Sequence, residues 1–451
     1  MSLADDAEIV EVYRDRYARK SILANGDVSI PCPCAGIEVR GKKDLETFTT
    51  LRLSYPTERL GFCIVSSANV EDTFIDLTKN LEEEKYRFAP TAKGKQLKMF
   101  QEQTFLAVEP ATEYTYYYEN GTYKKILASL ETPHFIRDVI GTIMTELRKY
   151  DNGKAQGFQD WKKEFVEEKW RKLNDASLNR LVNENFDSQA GCRANIQIPP
   201  TPPLFQPSLL DVTINIIKTA TKKAPTNTAA YFNMPLSILR DDNQRQTILK
   251  YCKTLANRVV ILKIHNLDNI LDPDKEDERE AFSEIQYNMC KLRKNGKFTI
   301  LLEGGKLTFP SLVRGFDIVT NDISGRTKQG GFSNKKKQPE EFIGRSRYYI
   351  KNKQIFYPFR KMIPFAENNL RMTNGEHGLK CRLPCCKDIK SVKDLTRDIW
   401  NYYVVRPHFC LTMNDMAKEI SRLINDDNIQ EAKNILLLSE LCVLKRLIPD
   451  M

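Results

Sequence analysis

The sequence predicts an α/β fold: a (β/α)8 TIM-like barrel with an N-terminal α+β region and a C-terminal helical subdomain. Three observations predict it. Short, near-continuous apolar runs occur at 194–198, 229–233, 258–264, 298–302 and 316–320, the pattern of parallel strands covered on both faces. Helical apolar periodicity fills the gaps at 209–221, 242–256, 277–293 and 309–314. Single helices between such strands are the crossovers of a parallel sheet, and five units with further strand candidates outside them favour closure over an open doubly wound sheet.

The flanking regions follow from the change of rhythm, with boundaries at 1–130, 131–365 and 366–451. Residues 1 to about 37 open on a charged stretch read as helical and end in the loop Ile30-Pro31-Cys32-Pro33-Cys34. The runs Gly61–Ser67 and Thr104–Glu109 read as strands. An Asn120-Gly121 pair between tyrosine-rich flanks reads as a hairpin turn. From Pro133 to Asn183 the spacing of Phe135, Ile136, Val139, Ile140, Ile143, Met144 and Leu147 is helical, and a polar helix around Trp161–Trp170 follows. The last fifty residues read as helices, with a long one near 428–447.

Composition bounds the class. The chain has 451 residues, 41% of them apolar and 28% charged, enough to bury a sizeable core. No apolar run approaches the roughly 18 residues of a membrane span. The charged N-terminus lacks the apolar segment of a secretory signal, so a cytoplasmic protein with no membrane partner is expected. The 69 Lys and Arg exceed the 59 Asp and Glu by 10, and the excess clusters in one segment.

Polar residues at the C-terminal ends of the strand runs are the candidate site, because loops converge there in a parallel barrel. They are Gln197 with its proline-rich turn, Asn233, His265, Glu303 with Gly304 and Gly305, and Asp322 after Asn321. Two carboxylates beside amides and an imidazole suit a planar, hydrogen-bonding ligand and supply a nucleophile or base. The segment 325–362 carries Arg326, Lys328, Lys335, Lys336, Lys337, Arg345, Arg347, Lys351, Lys353, Arg360 and Lys361 against only Glu340 and Glu341, with Tyr348, Tyr349, Phe356, Tyr357 and Phe359 interleaved. Such a segment fits a phosphate backbone with unpaired bases stacked on aromatic rings. The alternative is a solvated loop whose aromatics pack as a late strand, 347–351.

Cys381, Cys385 and Cys386, with His408 beyond a helical spacer, offer three thiols and an imidazole, the donor set of a structural Zn2+. This makes the C-terminal part a zinc-binding helical subdomain. His377 and Cys410 are alternatives for one ligand. The pair Cys32 and Cys34 reads as a loop rather than a metal site.

Taken together, Thr299 to His408 resembles the C-terminal half of the tRNA-guanine transglycosylase superfamily. The features run in the same order: Leu301-Leu-Glu-Gly-Gly, a short helix ending Leu312-Val-Arg-Gly, the strand Phe316-Asp-Ile-Val, and Gly325-Arg-Thr-Lys-Gln, which is similar to the family's Gly-Arg-Thr-Gly-Gln. The basic aromatic segment, the thiols and the late histidine follow. The resemblance implies a zinc-bearing barrel that exchanges a base within nucleic acid through a covalent aspartate–sugar intermediate. The substrates implied are DNA or tRNA together with a purine or 7-deazapurine base, and homodimers or partner subunits are left open. The family's nucleophile position holds Thr320 here, so Asp322 and Asp317 are the candidates, with Asp322 preferred at the strand's mouth. The family's early Asp-Ser-Gly-Gly-Phe-Gln is absent, and the thiols are spaced C-x3-C-C instead of C-x-C-x2-C. Both departures resemble a divergent branch such as the relatives that insert 7-deazaguanine into DNA. Two other readings stand beside this one: a nucleic-acid-binding barrel without the chemistry, and a small-molecule barrel enzyme using Glu303, His265 and Asp322 as acid–base groups.

Overall fold

The computed structural model describes residues 7–13, 19–25, 28–39, 44–45, 47–48, 51–52, 59–67, 104–116, 120–129, 131–149, 156–272, 274–322, 347–350, 355–358 and 405–425. Its centre is a curled parallel sheet of seven strands, consistent with a TIM-like α/β fold: β4 (Cys34–Val39), β5 (Phe62–Ser66), β6 (Phe105–Glu109), β7 (Ala229–Pro235), β8 (Val259–His265), β9 (Phe298–Leu302) and β10 (Ile318–Asp322). The spatial order is β6-β5-β4-β10-β9-β8-β7. Ahead of the sheet, β1 (Ala7–Tyr13), β2 (Arg19–Asn25) and β3 (Val28–Cys32) form an antiparallel three-stranded sheet. After it, β11 (Arg347–Ile350) and β12 (Ile355–Pro358) pair as a two-stranded ribbon.

Nine helices are described: α1 (Asn120–Ala128), α2 (His134–Leu147), α3 (Gln156–Arg171), α4 (Asp175–Gly191), α5 (Leu209–Lys223), α6 (Asp242–Thr254), α7 (Glu276–Lys294), α8 (Thr308–Arg314) and α9 (Val405–Asn425). The late helix α9 lies against β2, β4, α8 and β11, which places residues 405–425 on the sheet.

Strand alternation sorts the apolar residues into two layers. Cys63, Val65, Leu106, Val108, Phe232, Leu262, Ile264, Leu301 and Val319 belong to the large core shared with the helices. Cys34, Phe62, Ile64, Phe105, Ala107, Tyr231, Ile261, Phe298, Ile300 and Ile318 form a second cluster on the other face, into which β2 and β3 insert Leu23, Val28, Ile30 and Cys32. Both faces are therefore dry, which is why these strands read as unbroken apolar runs.

The two edge strands are linked through the segment 195–198. Ala107 bridges to Ile196 and Gln197 to Thr228, both parallel, and Asn195 N donates to Leu106 O at 2.8 Å while Ala229 N donates to Gln197 O at 2.9 Å. A full strand, expected at 194–198, does not form. The side-chain amide of Gln189 on α4 takes both the N–H and the C=O of Ile198, at 2.8 and 2.7 Å, and the following prolines have no N–H to extend a ladder.

Three further expectations are corrected. The charged N-terminal stretch is strand rather than helix, because pairing of β1 to β3 supplies partners that local charge pattern does not reveal. The tyrosine-rich hairpin is replaced by a 3-10 turn, Ala111–Thr115, and α1, whose Tyr123 and Ile126 are fully buried at helical spacing, so packing overrides β propensity. The last sheet strand runs Ile318–Asp322, two residues later than the apolar run, because polar Asn321 and Asp322 continue the pairing with β4. The boundary at 130 also divides one sheet, since β4 pairs directly with β10.

Candidate functional site

Along the inner face, apolar residues occupy the N-terminal layers and polar ones the last layer. Reading each strand by twos, Cys34 and Gly36 lead to Glu38, Phe105 and Ala107 to Glu109, Ala229 and Tyr231 to Asn233, Val259 and Ile261 to Lys263 and His265, and Ile318 to Thr320 and Asp322. The change happens at the same end of these five strands because they are parallel, whereas β9 keeps the apolar Leu302 at its end. A polar layer under the strand ends is the direct result.

Lys263, fully buried, sits at the centre of the layer. Its Nζ is 2.5 Å from Glu109 Oε1, 2.5 Å from Glu113 Oε2 and 3.2 Å from Glu303 Oε1. The Tyr231 hydroxyl donates to Glu109 Oε1 at 2.7 Å, reaching from one edge strand of the sheet to the other. Burial alone would push the lysine down, but the three carboxylates outweigh it and hold the ammonium well above its ordinary value. Burial and the neighbouring Glu109 push the Tyr231 phenol up, so it stays a donor.

Glu303 enters this cluster through its backbone. It has φ of +57°, a left-handed conformation that breaks strand alternation one residue after β9. For a non-glycine residue this costs about 1 kcal/mol. The turn places its N–H 2.9 Å from Glu38 Oε1 and 3.1 Å from Thr320 Oγ1. Gly304 follows because nothing larger fits: a Cβ there would lie 2.2 Å from Val319 Cγ1.

Across the layer, Thr320 Oγ1 donates to Glu38 Oε1 at 2.6 Å. Gly36 leaves room for this approach, since a Cβ on it would lie 2.8 Å from Thr320 Cγ2. His265 Nε2 lies 2.5 Å from Asn233 Oδ1, and Phe205, from the turn after the prolines, stacks over the imidazole with centroids 6.4 Å apart. That turn is tied to β7 by Leu204 N donating to Asn233 O at 2.8 Å. Among the described residues the layer brings acceptors, donors and the Lys263 ammonium together in a buried space, where electrostatic interactions are strong.

Of the residues read from sequence, Asn233, His265, Glu303, Gly304 and Gly305 gather at this end of the sheet. Gln197 belongs to the bridging segment, and alternation with the inner residues Ile196 and Ile198 turns it to the opposite face. Asp322 is buried at the end of β10 with Glu38 as its register partner. Asp317 is elsewhere. It precedes β10 at the other end, fully buried, with Oδ2 accepting from Thr299 N at 2.8 Å and Oδ1 3.3 Å from Arg293 Nε.

Arg347 and Tyr348 lie on β11, opposite Pro358 and Tyr357 of β12. Arg326, Lys328, Lys335, Lys336, Lys337 and Arg345 fall outside the described residues, as do Cys381, Cys385, Cys386 and the helix expected near 428–447. His408 is buried in α9, and its carbonyl accepts from Thr412 Oγ1 at 2.7 Å. Among the described residues no group of three or more His, Cys, Asp or Glu is placed to hold a metal ion. Nor is any described helix long and apolar enough to cross a membrane. Cys32 and Cys34 are both buried, at the junction of β3 and β4.

Sequence reasoning missed Glu38, Glu109, Glu113 and Lys263. Lys263 had a visible signal, a lysine inside the apolar run Val259–Ile264, but its partners are as far as 154 residues away in the chain. Searches against protein families and against curated proteins find no match for this chain.

Proposed function

We propose that the chain is a base-exchange transglycosylase that inserts a modified (7-deaza)guanine into nucleic acid, DNA or tRNA. The observation that carries this reading is the carboxylate-rich polar layer at the C-terminal ends of the strands. Cleaving a glycosidic C1′–N bond builds positive charge on the sugar, which nearby carboxylates stabilise and one of them captures. The Asn233–His265 pair under Phe205 supplies hydrogen bonds and an aromatic face for a purine. A closed (β/α)8 barrel belongs to the same proposal. It is supported by the segment 195–198, which bonds to both sheet edges, and by the Tyr231–Glu109 and Lys263–Glu109 contacts across them. The basic aromatic segment would hold the phosphate backbone, while the target nucleotide leaves its stack.

The test is incorporation. The purified chain, given labelled guanine or 7-deazaguanine with tRNA or duplex DNA, is expected to transfer label into the polymer. No label in either polymer overturns the proposal. The seclusion of the layer, whose residue Glu303 is 7% exposed, favours a second reading: a small-molecule barrel enzyme using Glu303, His265 and Asp322. That reading gains if the chain also fails to bind DNA and RNA at low salt, where phosphate contacts are strongest.

Zinc is the proposed structural metal, held by Cys381, Cys385, Cys386 and His408. Elemental analysis of purified protein should find about one zinc per chain, and Cys385→Ser should lower both metal content and thermal stability, because such sites couple binding to folding. Less than half an equivalent in the parent protein would remove zinc from the proposal.

A further inference from the structure

We propose that the end of the sheet opposite the polar layer, around the N-terminal ends of β7, β8 and β9, is a docking surface for a single-stranded nucleic acid. The topology gathers it. Each crossover helix runs back against the strands, so α4, α5, α6 and α7 all finish at this end, and β7, β8 and β9 stand side by side in the sheet. The segments where these helices close and lead into the next strand, 192–198, 222–228, 253–258 and 291–297, hold nine Lys and Arg and no Asp or Glu. In the last two turns of the four helices the carboxylates are Asp187 and Glu184 on α4, and Glu184 is paired with Arg180 at 2.6 Å.

Hydrogen bonds stitch these segments into one platform. Lys297 Nζ donates to the carbonyls of Leu255 and Asn257 at 2.5 and 3.1 Å, which ties the turn before β9 to the turn before β8. Asn257 Nδ2 donates to Thr221 Oγ1 and to Thr228 O, both at 2.8 Å, which ties that turn to α5 and to the start of β7. Lys223 donates to Asn183 and joins α5 to α4. Other cations stand clear of this stitching. Lys222, Lys253, Arg258 and Lys294 are exposed, and among the described residues their side chains make no hydrogen bond or ion pair.

The helix dipole favours cations in a last turn, which accounts for Lys222 and Lys294. It does not account for Arg258, which lies outside any helix, or for Tyr287. That tyrosine is 62% exposed, the more exposed of the two large apolar side chains at the surface among the described residues, and Lys291 Nζ lies 4.2 Å from its ring centroid. Tyr287, Lys291 and Lys294 follow at helical spacing along one face of α7. An exposed ring among cations fits a strand of unpaired bases: a base stacks on the ring while phosphates meet the ammonium and guanidinium groups and release their counterions. A membrane surface would call for a broad apolar face, and one tyrosine does not make one.

The test is binding, so it does not depend on base exchange. The full chain is mixed with a fluorescent single-stranded DNA oligonucleotide carrying 5-iodouracil. Illumination should crosslink the oligonucleotide to the peptide containing Tyr287, and Tyr287→Ala should remove that crosslink. Combining Lys253→Gln, Arg258→Gln and Lys294→Gln should weaken binding about tenfold or more at low salt. The slope of log K against log salt should fall by about 2, since each phosphate contact on a single strand contributes about 0.7. The segment 325–362 is basic as well, so the combined Lys335→Gln, Lys336→Gln and Lys337→Gln protein is the comparison, and it should keep the Tyr287 crosslink. Crosslinks confined to 325–362, or parental affinity and slope in the folded Lys253, Arg258 and Lys294 variant, overturn the proposal. So does a parent chain that binds phosphatidylserine vesicles or a polyglutamate peptide but not the oligonucleotide. A parent that takes the oligonucleotide at Tyr287 yet transfers no labelled base overturns base exchange and leaves the docking surface standing.

Discussion

Lys263→Met should destabilise the protein by about 3–5 kcal/mol, the range for deleting one member of a buried charge cluster. The lysine is fully buried and faces three carboxylates from β6, the turn after it, and the end of β9. Methionine fills nearly the same volume, so the loss would come from electrostatics and not from a cavity. Three like charges would then share a dry space with no cation among these four groups. The variant should therefore recover part of its stability on acidification, because each proton taken up removes one repelling charge. Denaturant midpoints at pH 8 and pH 5 check this, and equal midpoints for variant and parent at pH 8 would refute it. Adding Glu109→Gln and Glu113→Gln to Lys263→Met should restore much of the loss, since removing a whole buried ionic group is far less costly than breaking it.

The same lysine fixes a sign at alkaline pH. Its folded value is raised above the unfolded one, so its contribution is complete below about 10.4 and is lost as pH rises through the folded value. The parent should lose stability above that point, and Lys263→Met should lack this component.

How much of this was legible depends on what each residue's neighbours are. Strands β7, β8 and β9 could be read nearly to the residue, because burial on both faces writes an unbroken apolar run into the sequence. Helices α2, α5, α6 and α7 were legible for the same local reason, an apolar stripe at helical spacing. Strand β4 was not: Cys34-Ala-Gly-Ile-Glu-Val is short, follows two prolines, and carries Gly36 and Glu38 for the sake of Thr320, which lies 282 residues on. Without β4 the site lost Glu38. The strand-end positions of Asn233, His265 and Glu303 were legible because polar residues end the apolar runs of a parallel sheet. The Lys263 cluster was not found, because a charge within an apolar run has meaning only once its partners are known. Glu303 was read correctly as a strand-end acid, yet its inward aim depends on a left-handed residue that alternation does not anticipate.

Asp317 carries the second large prediction. Asp317→Ala should cost about 3–5 kcal/mol, by leaving Arg293 buried beside no carboxylate and Thr299 short of an acceptor. The site joins three elements. Asp317 Oδ2 accepts from Thr299 N and Oγ1 at 2.8 and 3.0 Å just inside β9, Oδ1 faces Arg293 in the last turn of α7, and the Asp317 carbonyl accepts from Cys34 N at 2.9 Å to start β4. Asp317→Asn keeps an acceptor for Thr299 and gives up only the charge, so it should fall between the parent and Asp317→Ala. Combining Arg293→Met with Asp317→Ala should recover part of the loss, because the orphaned cation is then gone. Thermal melts of the four proteins give the order directly. A folded Asp317→Ala with parental stability but no base exchange would return this residue to the chemistry. The graded order predicted here would instead identify it as the joint that holds β9, β10 and α7 in register beneath the polar layer.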